Sequence, residues 1–176
     1  MRKKRAWFLI SFACLFVAAC ADTTQLTRPS GQKSEKLDSG GSVYIAVPKD
    51  GIYGDENYPG SGLTTAQTLL SAFAKRVKRV DVANANQAYD DELKTARDKG
   101  FKYLVYPTIL HWEDRATEWS GRPDRIELKI EVIEVATGTQ LDNVVIKGTS
   151  KWATLGGDHP QDLLPKPVEQ FVASLY

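Results

Sequence analysis

Two cysteines, two histidines and one methionine are all that the 176-residue chain holds of those types, and each scarcity closes a class of explanation. Cys14 lies inside an amino-terminal leader, so removal of that leader leaves Cys20 with no partner for a disulfide. His111 and His159 are the sole histidines, and neither H-E-x-x-H nor a close ligand pair on a helix occurs, which is thin provision for zinc. No G-x-S-x-G elbow is present, so nucleophilic catalysis by serine has no candidate. Beyond residue 17, no apolar run approaches the roughly 20 residues that a spanning helix needs. An excess of one charge is missing too. The leader carries four basic and no acidic residues, leaving 19 basic against 22 acidic, a net of −3. That balance gives no electrostatic footprint for nucleic acid or anionic lipid, and no cofactor motif accompanies it.

What is present begins at the amino terminus. Arg2, Lys3, Lys4 and Arg5 precede an apolar run over residues 6–17, interrupted only by Ser11, which reads as the n-region and h-region of a signal peptide. Val17, Ala18, Ala19 and Cys20 then resemble the bacterial lipobox. That resemblance implies cleavage before Cys20 and acylation of its thiol, whereas ordinary cleavage after Ala19 would leave a reactive thiol exposed in an oxidising compartment. Each buried methylene contributes about 0.8 kcal/mol, so a chain anchored in this way does not leave the bilayer. In lipoproteins of two-membrane bacteria an aspartate directly after the cysteine commonly retains the protein at the inner membrane. Here Ala21 takes that place and Asp22 follows, so the resemblance implies the periplasmic face of the outer membrane.

Residues 1–19 are thus expected to be a signal peptide, residues 20–41 a disordered tether and residues 42–176 one periplasmic α/β domain. In residues 21–41 only Ala21, Leu26 and Leu37 are apolar, which predicts little burial. Within the domain, residues 43–47, 80–83 and 101–110 read as buried strands, with Pro107 suggesting a bulge. Ile126, Leu128, Ile130 and Val132 alternate with charged residues, and Val144, Ile146, Gly148, Ser150 and Trp152 share a face of a fifth strand across a hairpin turn at Gly138. Thr64 and Gln67 form a possible capping box before a helical stripe of Ala66, Leu69, Leu70, Phe73, Ala74 and Val77. A second helix over residues 88–99 buries Leu93 and Ala96, and a last one after Pro167 carries Val168, Phe171, Val172 and Leu175. The expectation is a single α/β (α+β) domain in the order β-α-β-α-β-β-β-α, with helices packed on a five-stranded mixed sheet.

The lipobox, the first strand, Tyr58 to Gly62, the tract HWEDRATEW from His111 and the tract WATLGGDHPQDLLP from Trp152 resemble a family of bacterial lipoproteins catalogued only as a domain of unknown function. The resemblance implies no activity. In element order alone, the chain is similar to the amino-terminal domain of the Tol-Pal translocation protein, to the curli-secretion lipoprotein and to the lipoprotein activator of penicillin-binding proteins. These are envelope interaction modules.

Three chemistries compete for the two polar tracts. Gly60, Ser61 and Gly62 before a helix suggest a phosphate cradle, but the third glycine of the dinucleotide fingerprint is Thr65. Glu113 or Glu118 with His159 would provide acid and base for hydrolysis of a cell-wall polymer, although Arg115, Arg122 and Arg125 beside them favour ionised carboxylates. Trp112, Trp119 and Trp152 either pack over one end of the sheet or anchor a partner. The residues favour the last reading: a non-enzymatic module that binds an envelope protein or glycan through Trp112, Arg115, Glu118, Trp119, Arg125, Trp152 and His159, held to a membrane through Cys20. A smaller ligand held by residues 50–63 would require an enclosed apolar pocket beneath Tyr53 and Tyr58.

Overall fold

The computed structural model of the chain describes residues 22–29, 35–114, 123–150 and 159–176. Among the described residues, eight strands and three helices follow one another: β1 (Thr23–Thr27), β2 (Ser42–Ile45), β3 (Gly51–Tyr53), β4 (Glu56–Tyr58), α1 (Ser61–Phe73), β5 (Arg79–Val82), α2 (Tyr89–Asp98), β6 (Tyr103–Glu113), β7 (Arg125–Glu134), β8 (Gln140–Thr149), a 3-10 turn (Pro160–Leu163) and α3 (Pro165–Ser174). The main sheet has six strands in the order β1-β8-β7-β6-β2-β5, and β3 with β4 forms a separate hairpin. β2 is parallel to both β5 and β6, and the remaining pairs are antiparallel, so the mixed sheet expected from the sequence is present with one strand more.

The extra strand comes from the stretch expected to be a disordered tether. Thr23 to Thr27 pair in register with Thr149 to Val145 at the sheet edge. Apolar content could not announce this strand, because backbone hydrogen bonds to an otherwise open edge hold it and little side-chain burial does. Beyond it, Leu37 is buried and donates its N–H to the Leu175 carbonyl at 2.7 Å. Where it is described, the segment belongs to the domain.

The alternation in β7 decides the layers. Ile126, Leu128, Ile130 and Val132 are buried, and Leu163 of the 3-10 turn lies against Gly148 and Ile126 on that face, below α3. On the other face Tyr106, the cross-strand partner of Glu131, meets Tyr89 of α2 edge-on at 5.3 Å between centroids. Helices therefore cover both faces, and Val43, Ile45, Leu104, Val105, Leu69, Phe73, Phe171 and Val172 sit in one continuous core.

Two local expectations shift. α1 starts a turn before Thr64, whose N–H donates to the Gly60 carbonyl, so Thr64 is not the cap and Gly60 takes the left-handed conformation (φ 88°) that starts the helix. Ala74 is exposed and Ala72 buried, because Ala74 lies past the last helical residue, Phe73, and the buried face runs from Ser61, Gly62, Thr65, Ala66 and Leu69 to Ala72 and Phe73. The bulge falls between Ile109 and His111, past Pro107. Pro107 is tolerated because the edge its missing N–H would face has lost its partner: β2 pairing ends at Ile45 with Val105.

Candidate functional site

One end of the sheet gathers the residues that the sequence marks as chemical. Glu113, Arg125, Thr149 and Thr23 are successive cross-strand partners on β6, β7, β8 and β1, forming a row across that end. Two ties close it. The Asp124 N–H donates to Ser150 Oγ at 2.9 Å while the Ser150 N–H donates to the Asp124 carbonyl at 3.0 Å. His159 Nδ1 stands 3.5 Å from Asp114 Oδ2. The tract starting at His111 and the tract ending at Pro165 are thereby brought together by tertiary structure.

Beside the row, Trp112 forms the wall of a cleft of about 350 Å³ shared with Asn57, Tyr58, Gly60, Ser61, Asp114 and Gln161. Trp112 is itself only 3% exposed, pressed under the β3–β4 hairpin, where a Cβ on Gly51 would run into the Trp112 Cβ. Only glycine permits that approach. The hairpin is fastened from below: Ser61 Oγ accepts the Gly51 N–H at 2.8 Å and donates to the Tyr58 carbonyl at 2.7 Å. The backbone N–H of Asp114 reaches the Tyr58 hydroxyl at 3.4 Å.

The electrostatics decide between the competing chemistries. Asp50 Oδ1 accepts the Gly62 N–H at 2.8 Å, so the first turn of α1 already holds a carboxylate. A phosphate there would meet that charge, and Asp114 as well, which removes the cradle reading. Glu113 is 2% exposed and its Oε2 lies 3.2 Å from His111 Nε2, while His159 faces Asp114. The acid and base imagined from Glu113 and His159 are thus in different pairs. Among the described residues, no group of three or more histidine, cysteine or acidic side chains is placed to hold a metal ion. The pocket expected beneath Tyr53 and Tyr58 is not enclosed: Tyr58 lines the mixed polar cleft, whereas Tyr53 packs edge-on against His111 at 5.1 Å.

Of the binding residues expected from sequence, Trp112, Arg125 and His159 converge on this end of the sheet, with Arg125 exposed and the His159 side chain 54% exposed. Arg115, Glu118, Trp119 and Trp152 lie outside the described residues, as does Cys20. Reasoning from sequence overlooked Asp50 and Gln161, which are unremarkable polar loop residues until the fold sets them beside α1 and Trp112. It also overlooked Glu92. This carboxylate of α2 is fully buried, and burial pushes its pKa up against the opposing influence of the Tyr44 hydroxyl and the Lys99 charge.

The sequence of residues 35–175 matches the family model described as a domain of unknown function, DUF4823. The chain belongs to that family. The match leaves out residues 1–34, so the family assignment rests on the folded part. No curated protein matches the sequence. In three dimensions the DUF4823 chain is similar to PelC from Paraburkholderia phytofirmans, solved as a dodecamer, with a TM-score of 0.60, 16% identity, and coverage of 88% of this chain and 94% of PelC. It is also similar to protein XCC0632 from Xanthomonas campestris, of the DUF330 family, with a TM-score of 0.51, 11% identity, and coverage of 87% and 91%. At these identities the likeness is one of fold.

Proposed function

We propose that this DUF4823 protein is a lipid-anchored lipoprotein of the periplasmic face of the outer membrane that acts as a non-enzymatic binding module for an envelope protein or glycan. The observation that carries the reading is the pairing around the cleft, which Asp114 lines: His111 with Glu113, His159 with Asp114, and Asp50 with the first turn of α1. Each of these carboxylates has a partner, so the site offers Tyr58, the edge of the nearly buried Trp112 and a fixed polar rim, without a carboxyl poised as a free acid. Acylation at Cys20 and removal of residues 1–19 supply the anchor. From the sequence alone, Arg115, Glu118, Trp119 and Trp152 are assigned to the same binding set, their tracts adjoining Asp114 and Ser150 in the chain.

A photoreactive amino acid at Asn57, which is exposed on the rim of the cleft, tests the proposal in living cells. The expected result is one defined adduct that is missing when the same group sits at Gln67, on the exposed side of α1, and that is lost with Asp114→Ala. Identical adducts from both positions would remove the recognition surface. For the anchor, Cys20→Ser is expected to release the protein from membranes, and unchanged membrane fractionation would overturn it.

A further inference from the structure

The row Glu113, Arg125, Thr149, Thr23 has a consequence for how the domain stands on its membrane. This inference rests on acylation at Cys20. Thr23, where β1 begins, is three residues from Cys20, and three extended steps reach at most roughly 11 Å. β1 does not reel out to lengthen that reach, because all five of its residues are in register on β8 and its far end is clamped by Arg28 to Asp142 and Ser174. The opposite end of the sheet is far away. β7 is 10 residues long, so its turn with β8 lies about 30 Å from the row.

We infer that the end of the sheet bearing this row rests against the bilayer that holds the acyl chains, with the strands standing up from it and the β7–β8 turn pointing into the periplasm. The occupant of this end is the lipid surface itself. Short reach, fixed edge strand and sheet length act together. A loose leader of some twenty residues would permit every orientation, whereas a three-residue one attached to a rigid edge permits few. Charge at this end is mixed: Arg125 is exposed, whereas Lys147 is paired with Glu127 and His159 with Asp114, so reach and the fixed edge strand set the orientation rather than charge. The cleft walled by Trp112 then opens close to the headgroups, which restricts its partners to molecules within or on the same membrane.

The test uses the acylated full-length protein in vesicles of phosphatidylethanolamine and phosphatidylglycerol. A fluorescent probe is placed at Arg125→Cys, Thr27→Cys or Ala136→Cys, all exposed positions, and quenched with lipids carrying a nitroxide on the headgroup. Quenching at position 125 is expected to exceed that at 27 and 136 severalfold. Equal quenching at 125 and 27 means that the domain lies on its β1 edge, and stronger quenching at 136 means that it is inverted; either result overturns the inference. A flexible insertion of ten glycine and serine residues between Ala21 and Asp22 is expected to abolish the difference while the protein still sediments with vesicles. Failure to sediment at all, with acylated wild-type protein, strikes the anchor. Sedimentation without the quenching difference strikes the orientation alone.

Discussion

Arg28 reaches across 114 residues of sequence to the fully buried carboxylate of Asp142, its Nε 3.1 Å from both oxygens and its Nη2 3.1 Å from Oδ2, with a further bond from Nη2 to Ser174 Oγ at 2.7 Å. The guanidinium fork is therefore shared between the sheet and α3, and it pins the outgoing end of β1 to both.

Removing one partner of such a pair strands the other. Arg28→Ala leaves Asp142 buried without its cation and is expected to cost about 2 kcal/mol, below the roughly 3–5 kcal/mol for fully buried pairs because Arg28 keeps 28% exposure. Urea unfolding measures the cost. Hydrogen exchange at β1 and β8 amides should rise in parallel, and unchanged exchange would show that β1 holds without the clamp.

Gly51→Ala forces a methyl group against Trp112 and Ile109. The hairpin must lift, at a cost of about 2 kcal/mol typical of overpacking. Tryptophan fluorescence should shift to the red as Trp112 gains water, and an unshifted spectrum with wild-type stability would contradict the packing.

Asp50→Ala removes the carboxylate that caps α1 and the contact that orients Ser61. A loss of about 1 kcal/mol is expected in thermal or urea unfolding, as for other amino-terminal caps. Neutral behaviour would reopen this helix end to an external anion.

Glu92 predicts a pH dependence with a definite sign. Its pKa in the folded chain is raised by burial, so the folded state holds the proton more tightly than the unfolded state does. The corresponding stability is complete below the ordinary glutamate value of 4.5 and is lost as pH rises through the folded value. Glu92→Gln keeps the neutral shape at every pH, so near neutrality it should be more stable than wild type by on the order of 1 kcal/mol. The gap should close toward pH 4.5. A constant difference at all pH values would refute the assignment.

His159→Ala tests the tie between the two tracts. The His159 side chain is half-exposed and its contact with Asp114 is long at 3.5 Å, and such surface pairs contribute under about 1 kcal/mol, so stability should barely change. Crosslinking from Asn57 should nevertheless fall, since Asp114 loses the side chain that holds it at the rim.

Much of this protein was legible residue by residue. Alternation in Ile126 to Val132 and the stripe of Val168, Phe171, Val172 and Leu175 specified a half-exposed strand and a covering helix, and in both the apolar positions named are buried. Hydrophobic periodicity is a local property, and local properties survive in sequence. β1 was missed because an edge strand held by backbone bonds needs no apolar pattern, and α1 was placed a turn late because a capping box is only one of several ways to start a helix.

By itself, then, the sequence determined the helices and the five strands of the main sheet other than β1, since apolar period requires no knowledge of neighbours in space. Tertiary structure alone decided that Asp114 would face His159, that Glu113 would turn to His111, that Asp50 would fill the start of α1, and that Glu92 would be enclosed. Each of these depends on a contact between distant parts of the chain. Polar side chains are chemically alike in any loop, and their partners are assigned only when strand register brings two segments to the same end of a sheet.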